Sequence, residues 1–272
     1  ISPKKTWSGT IAGWVGRFEP ADPDADAVEA VQELLPTGSD TWPYLRRFIA
    51  LTALSASIAA FGLLADSGAV VIGAMLVAPL MTPIMGVSAA TVTADNRRLL
   101  RAVLIVALGT VVAIVVGWFV SLIAAGRVID VRSLPTEIRS RTFPGLLDLG
   151  IAITAGAAAG YIQPRRSAIS ALPGVGIAVA LVPPLATVGI TLELGLGADS
   201  RNALLLYLTN LAAIVFAAAL VLLASGFRPH DDEGRRSLWA RLAITLVAVA
   251  LVAIPLTLHT RSVILDLRLR TA

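Results

Sequence analysis

No cysteine occurs among the 272 residues. That excludes a disulfide, a thiol nucleophile and any cysteine-based metal site. The two histidines, His230 and His259, are too few for a histidine-based one. There is no glycine-rich phosphate loop, no Ser/His/Asp set and no nucleic-acid motif. The expectation is therefore no enzyme activity, no cofactor, no bound metal and no nucleic-acid partner. Charge is also scarce: only 15% of residues are charged, against about 25% in a soluble domain. No signal peptide is visible, and a start at Ile1 reads as a fragment or a processed product.

What is abundant is apolar sequence. Hydrophobic residues make up 56% of the chain and the mean hydropathy is +0.81. They fall in runs long enough to cross a bilayer core of about 30 Å. Seven runs can be read: Leu45–Ala65, Ala69–Thr91, Leu99–Ala125, Leu146–Ile162, Ile169–Leu192, Ala203–Gly226 and Leu238–Leu258. The expected fold is an all-α polytopic membrane protein with about seven transmembrane helices. Residues 1–45 form a polar N-terminal segment and linker, 46–226 the membrane core, and 227–272 a loop, a final helix and a basic tail.

The net charge of +4 fits arginines that set topology and meet lipid headgroups, so membrane lipids are expected partners. Arg46, Arg47, Arg97, Arg98, Arg101, Arg165, Arg166, Arg228, Arg235, Arg236 and Arg241 fall on one side of an alternating topology. That asymmetry predicts a multi-pass protein of the cell membrane with a cytoplasmic N-terminus.

Leu76-Val77-Ala78-Pro79-Leu80-Met81-Thr82 and Leu181-Val182-Pro183-Pro184-Leu185-Ala186-Thr187 agree at five of seven positions. Each is followed by a matching turn, Ala94-Asp95-Asn96-Arg97 and Ala198-Asp199-Ser200-Arg201, and then by another apolar run. Residues 46–125 thus read as one triplet of helices and 146–226 as a second. An odd number of spans per triplet inverts the second copy, giving a 3+3 inverted repeat plus one extra C-terminal helix, an arrangement common in secondary transporters. Proline removes a backbone donor and clashes with the preceding turn, so the middle helix of each triplet is expected to break.

Asp66-Ser67-Gly68-Ala69-Val70-Val71-Ile72-Gly73-Ala74-Met75-Leu76-Val77-Ala78-Pro79-Leu80-Met81-Thr82-Pro83-Ile84 resembles the core motif of the prokaryotic membrane family called domain of unknown function 389. Ile177–Gly189 and Leu208–Ile214 resemble its second and third motifs, in order, and the likeness spans about residues 46–226. It implies an integral membrane protein and names no activity. Residues 1–13 look like a short segment of phosphatidate cytidylyltransferases, but the acidic metal-binding segment of those enzymes has no counterpart in the residues that follow.

Candidate site residues follow from the breaks. Pro79, Thr82, Pro83, Pro183, Pro184 and Thr187 would line a site between the two middle helices. Asn210, an amide inside the sixth run, could pair with carbonyls freed at Pro183-Pro184. Asp66 abuts the first broken helix and could accept from its N-terminal amides. Gly156-Ala157-Ala158-Ala159-Gly160 allows close helix approach, within the chain or in a homo-oligomer. The leading expectation is a transporter or channel-like protein of a bacterial inner membrane, for a small solute or an ion held by carbonyls and hydroxyls. The alternatives are a non-transporting membrane assembly or regulatory protein, and a lipid enzyme related to the cytidylyltransferases.

Overall fold

The computed structural model describes residues 41–128, 134–142, 145–164, 172–227, 236–243, 245–247 and 250, without the side chains of 125–128 and 172–180. Among them there are helices and turns and no strand. The order is α1 (Thr41–Leu64), α2 (Gly68–Val77), α3 (Met81–Val92), α4 (Asn96–Val128), α5 (Thr136–Thr142), α6 (Leu146–Ile162), α7 (Leu172–Glu193) and α8 (Gly197–Ala224). A further helical stretch covers 236–243.

Four of the described helices end in one device. At Asp66, Ala94, Gly195 and Gly226 the backbone turns left-handed. In each case the next residue's N–H reaches back five residues, as in Ser67 to Gly62 and Asp95 to Ala90. This cap satisfies carbonyls that the ending helix leaves open. Asp95 then opens α4, its carboxylate accepting from the N–H groups of Arg97 and Arg98, an N-cap arrangement.

Helix α7 occupies the middle. Every residue from Leu181 to Thr191 is buried, with α4, α8, α1 and α6 among the helices packed on it. Glycine makes the closest approaches. A Cβ on Gly189 would fall 2.2 Å from the Ile114 carbonyl oxygen of α4, and one on Gly117 would fall 2.7 Å from that of Ala186. The pair Gly156 and Gly160 does the same for α6 on α8, against Ile214 and Ala218. That small-residue motif therefore packs within the chain.

The outside is apolar. Leu100, Leu104, Val111, Val115, Phe119 and Leu122 form an exposed stripe on α4, at the spacing of one helix face. Charge sits at the two ends. Where side chains are described, one end carries Arg46, Arg47, Arg97, Arg98, Arg101, Arg236 and Arg241 with Asp95; the other carries Asp66, Glu137, Asp148, Glu193 and Asp199 with Arg139, Arg141 and Arg201. Contacts tie each end together. Arg241 reaches the α3–α4 turn, Asp66 reaches α5, and Ser121 of α4 donates to Glu193 at the end of α7.

Among the described residues, three helices (α1, α4 and α8) are long and apolar enough to cross a membrane, or up to five if α2–α3 and α5–α6 each count as one bent span. The fifth and seventh expected runs do not enter that count: the side chains of 172–180 in α7, and most of Leu238–Leu258, lie outside the described residues. Between α4 and α6 lies the short helix α5, whose Ile138 is wholly buried. One expectation needs correction, that of two broken middle helices.

Candidate functional site

Helices α2 and α3 are joined by Ala78-Pro79-Leu80 and bend by 60° there. Ala78 is extended, at φ −69° and ψ 122°. Pro79 cannot donate to the carbonyl four residues back, so the carbonyls closing α2 have no helical partners. Ser55 of α1 adds a bond from outside next to them: its hydroxyl donates to the Ala74 carbonyl at 2.7 Å. Pro83 falls in the first turn of α3, where a missing N–H costs no helical bond. Val77, Ala78, Pro79 and Thr82 are half-buried, so the break reaches the molecular surface, while Pro83 is buried.

The second middle helix is not broken. Helix α7 runs from Leu172 to Glu193 with Pro183 and Pro184 inside it. The expected pair of broken helices is thus one break facing one continuous proline-bearing helix. The reason is packing: α7 is enclosed on every side over 181–191, and closely fitted neighbours override a local propensity to kink.

Both proline segments lie against the middle of α4. A Cβ on Gly109 would meet Phe48 of α1 at 2.9 Å and Leu80, at the break, at 3.4 Å. Gly117, eight residues on, meets Ala186. Helices α2 and α3 both pack on α7, and α8 packs on α3 and α7. Pro79, Thr82, Pro83, Pro183, Pro184, Thr187 and Asn210 therefore sit on elements in mutual contact. Thr187 is wholly buried and its hydroxyl has no hydrogen-bond partner; Asn210 is also buried.

Asp66 does not join them. Its carboxylate accepts from the N–H of Glu137, at 2.8 Å, in the first turn of α5, not from the amides of α2. Its left-handed backbone, φ 51°, turns it away from the helix that follows.

Several polar groups were not anticipated. Thr110 of α4 and Tyr207 of α8 share a hydrogen bond, one residue from Gly109 and hence level with the break. Thr52 of α1 is 2% exposed and its hydroxyl has no partner. Thr110 is legible as a lone polar side chain in an apolar run, whereas Thr52 and Tyr207 have polar neighbours two or three residues away. Among the described residues no group of three His, Cys, Asp or Glu could hold a metal ion.

An all-helical bundle with apolar spans, an apolar outer face and charge held to its two ends is a membrane protein. The chain belongs to the family described as Domain of unknown function (DUF389), which matches residues 75–216. It is also similar to "Uncharacterized protein MJ0678" of the archaeon Methanocaldococcus jannaschii, with 29% identity over 227 residues, covering 82% of this chain and 68% of that protein. No solved structure matches. The likeness of residues 1–13 to phosphatidate cytidylyltransferases finds no support in these comparisons, and those residues lie outside the described ones.

Proposed function

We propose that the protein is a transporter or channel-like protein of the cell membrane, with its site at the break between α2 and α3. The observation that carries this reading is the break itself: extended, half-buried backbone midway along a bent apolar helix pair. Lipid cannot satisfy such groups, so non-helical backbone at membrane depth faces protein or a water-filled cavity. Discontinuous helices of this kind form the substrate and ion sites of many transporters. The bulk of α7 would form the wall opposite, with Thr187, and Asn210 on α8 beside it.

The same reading makes the two triplets, α1 to α4 and α6 to α8, copies related by inversion. It is supported by the first helix packing on the third in both, and by the middle helix of each packing on the third helix of the other. It also puts the arginine-rich end in the cytoplasm, with the N-terminus there, by the bias of basic residues toward that side.

The test is a flux screen of small solutes and ions with purified protein in liposomes. Pro79→Ala restores the missing donor and extends α2. Flux is expected to fall at least about tenfold, on the scale of about 1.4 kcal/mol per decade, while the protein stays folded. Folded wild-type protein that moves no solute or ion above empty vesicles would remove the proposal. It would leave the second reading, a membrane assembly or regulatory protein. That reading is favoured by the exposed face of α2, where Ala69, Ile72, Gly73 and Leu76 could meet another subunit.

A further inference from the structure

We infer that the α2–α3 break binds a monovalent cation, held by the terminal carbonyls of α2 and the hydroxyl of Thr52. The inference rests on the transport reading above and names the substrate class of that site.

The first observation is the direction of α2. Its carboxyl end, not its amino end, points into the break, so the groups presented are oxygens at the negative end of a helix dipole. Pro79 ensures that the Met75 carbonyl gets no amide from four residues on. Half-helix carboxyl ends and unwound carbonyls are groups that coordinate cations inside membranes.

The second observation is Thr52. A helical serine or threonine commonly returns its hydroxyl to the carbonyl four residues back. Ser57, Ser88, Thr91, Thr191 and Thr209 all do so in this molecule. Thr52 does not, although it is 98% buried, and its oxygen has no partner of any kind.

Its position is fixed from both sides. Ser55, one turn further along the same face of α1, reaches the Ala74 carbonyl. Phe48, one turn before, and Leu80 of the break both stand against Gly109. Three residues back along α1 are about 4.5 Å, and α2 runs the opposite way, so Thr52 stands level with about Val77. This register puts the unpaired hydroxyl at the level where α2 ends and its carbonyls are freed, and Val77, Ala78 and Pro79 at that end are half-buried.

The donor set decides the charge of the ion. The described carboxylates Asp66, Asp95, Glu137, Asp148, Glu193 and Asp199 all stand at helix ends. Divalent cations in proteins are bound through carboxylates. Neutral carbonyl and hydroxyl oxygens instead replace the water shell of a singly charged ion. The other orphan hydroxyls make no such set: Thr187 lies in continuous helix, and Tyr44 lies two turns before Thr52 on α1, away from the end of α2.

The experiment is thermal unfolding of the purified full chain in detergent, in NaCl or KCl against choline chloride at equal ionic strength. A bound ion stabilises the folded state in proportion to its concentration over Kd, so Tm is expected to rise by about 2–5 °C toward 300 mM of the preferred cation and not with choline. Thr52→Ser keeps the shift. Thr52→Val, which keeps the shape and removes the oxygen, loses it. A wild-type shift identical in choline overturns the inference without any variant, and so does a shift that survives in Thr52→Val. Flux of a neutral solute with no cation-specific shift sinks the cation and spares the transport reading; a cation-specific shift with no flux of any probe does the reverse.

Discussion

Two nearly identical heptapeptides, Leu76–Thr82 and Leu181–Thr187, end in different structures. The first ends one helix and starts another at 60°; the second passes through as helix. Proline spacing is one cause. Pro79 and Pro83 are four apart, so they remove donors a full turn from each other, and the chain restarts with Pro83 in a first turn that tolerates it. Pro183 and Pro184 are adjacent, so their missing donors fall at one place. Surroundings are the other cause. The break has half-buried backbone and a side-chain hydrogen bond beside it, Ser55 on the Ala74 carbonyl, while Arg241 holds the far end of α3 through the carbonyls of Ala90 and Ala94. Helix α7 is held by glycine contacts at van der Waals limits. A proline motif thus specifies where a helix is weak, and packing decides whether it yields.

The hardest test of this contrast is the α4–α7 contact. Gly189→Ala places a Cβ 2.2 Å from the Ile114 carbonyl oxygen and 2.5 Å from the Trp118 nitrogen. Both are backbone atoms in a helix and cannot move aside separately. A loss of about 3 kcal/mol is expected, at the upper end for overpacking, seen as a fall in Tm of more than about 5 °C in detergent. A melt within about 1 °C of wild type would mean that α7 is not clamped as described.

How far this difference could be read beforehand is set by where the information lies. The apolar runs predict α1, α4, α6 and α8 to within a few residues, because helix length and hydropathy are local. The break at Pro79 follows from proline chemistry alone. The continuity of α7 does not, since it depends on Gly117 and Gly189 meeting across more than seventy residues of sequence. The partner of Asp66 is hidden for a similar reason: its carboxylate accepts from the N–H of Glu137, inside a segment too polar to be read as a helix. Thr52 was invisible among the serines and threonines of α1, because its distinction is a bond it does not make.

The arginine clasp is the next test, on the other side of the comparison. Arg241 donates to the Ala90 carbonyl at 3.1 Å and to the Asn96 side chain, so it binds the helical stretch 236–243 to the end of α3. The guanidinium is half-buried, which discounts a charged hydrogen bond from its full value. Arg241→Gln should cost about 1 kcal/mol. Arg241→Lys should recover only part of it, because an ammonium cannot fork across the turn. Amide exchange at residues 90–96 should quicken in both variants, with 181–191 unchanged. Equal quickening in α7 would show that the two regions are not separately held.

The smallest effect has the opposite sign. Gly73 lies on α2, one turn before the break, and a Cβ there meets nothing within 4 Å. It is exposed beside Ala69, Ile72 and Leu76. Alanine is a better helix former than glycine by about 1 kcal/mol in water, and a short half-helix has little else to stabilise it. Gly73→Ala should therefore raise Tm slightly, by about 0.5–1 kcal/mol of stability, where the same change at Gly189 lowers it severely. The apparent mass in detergent, measured alongside, separates the surroundings of α2. An unchanged mass with a higher Tm fits a face that meets lipid or water. A loss of a larger species would place a second subunit against Gly73, and the half-buried backbone at Pro79 would then be covered by protein and not open to a permeating solute.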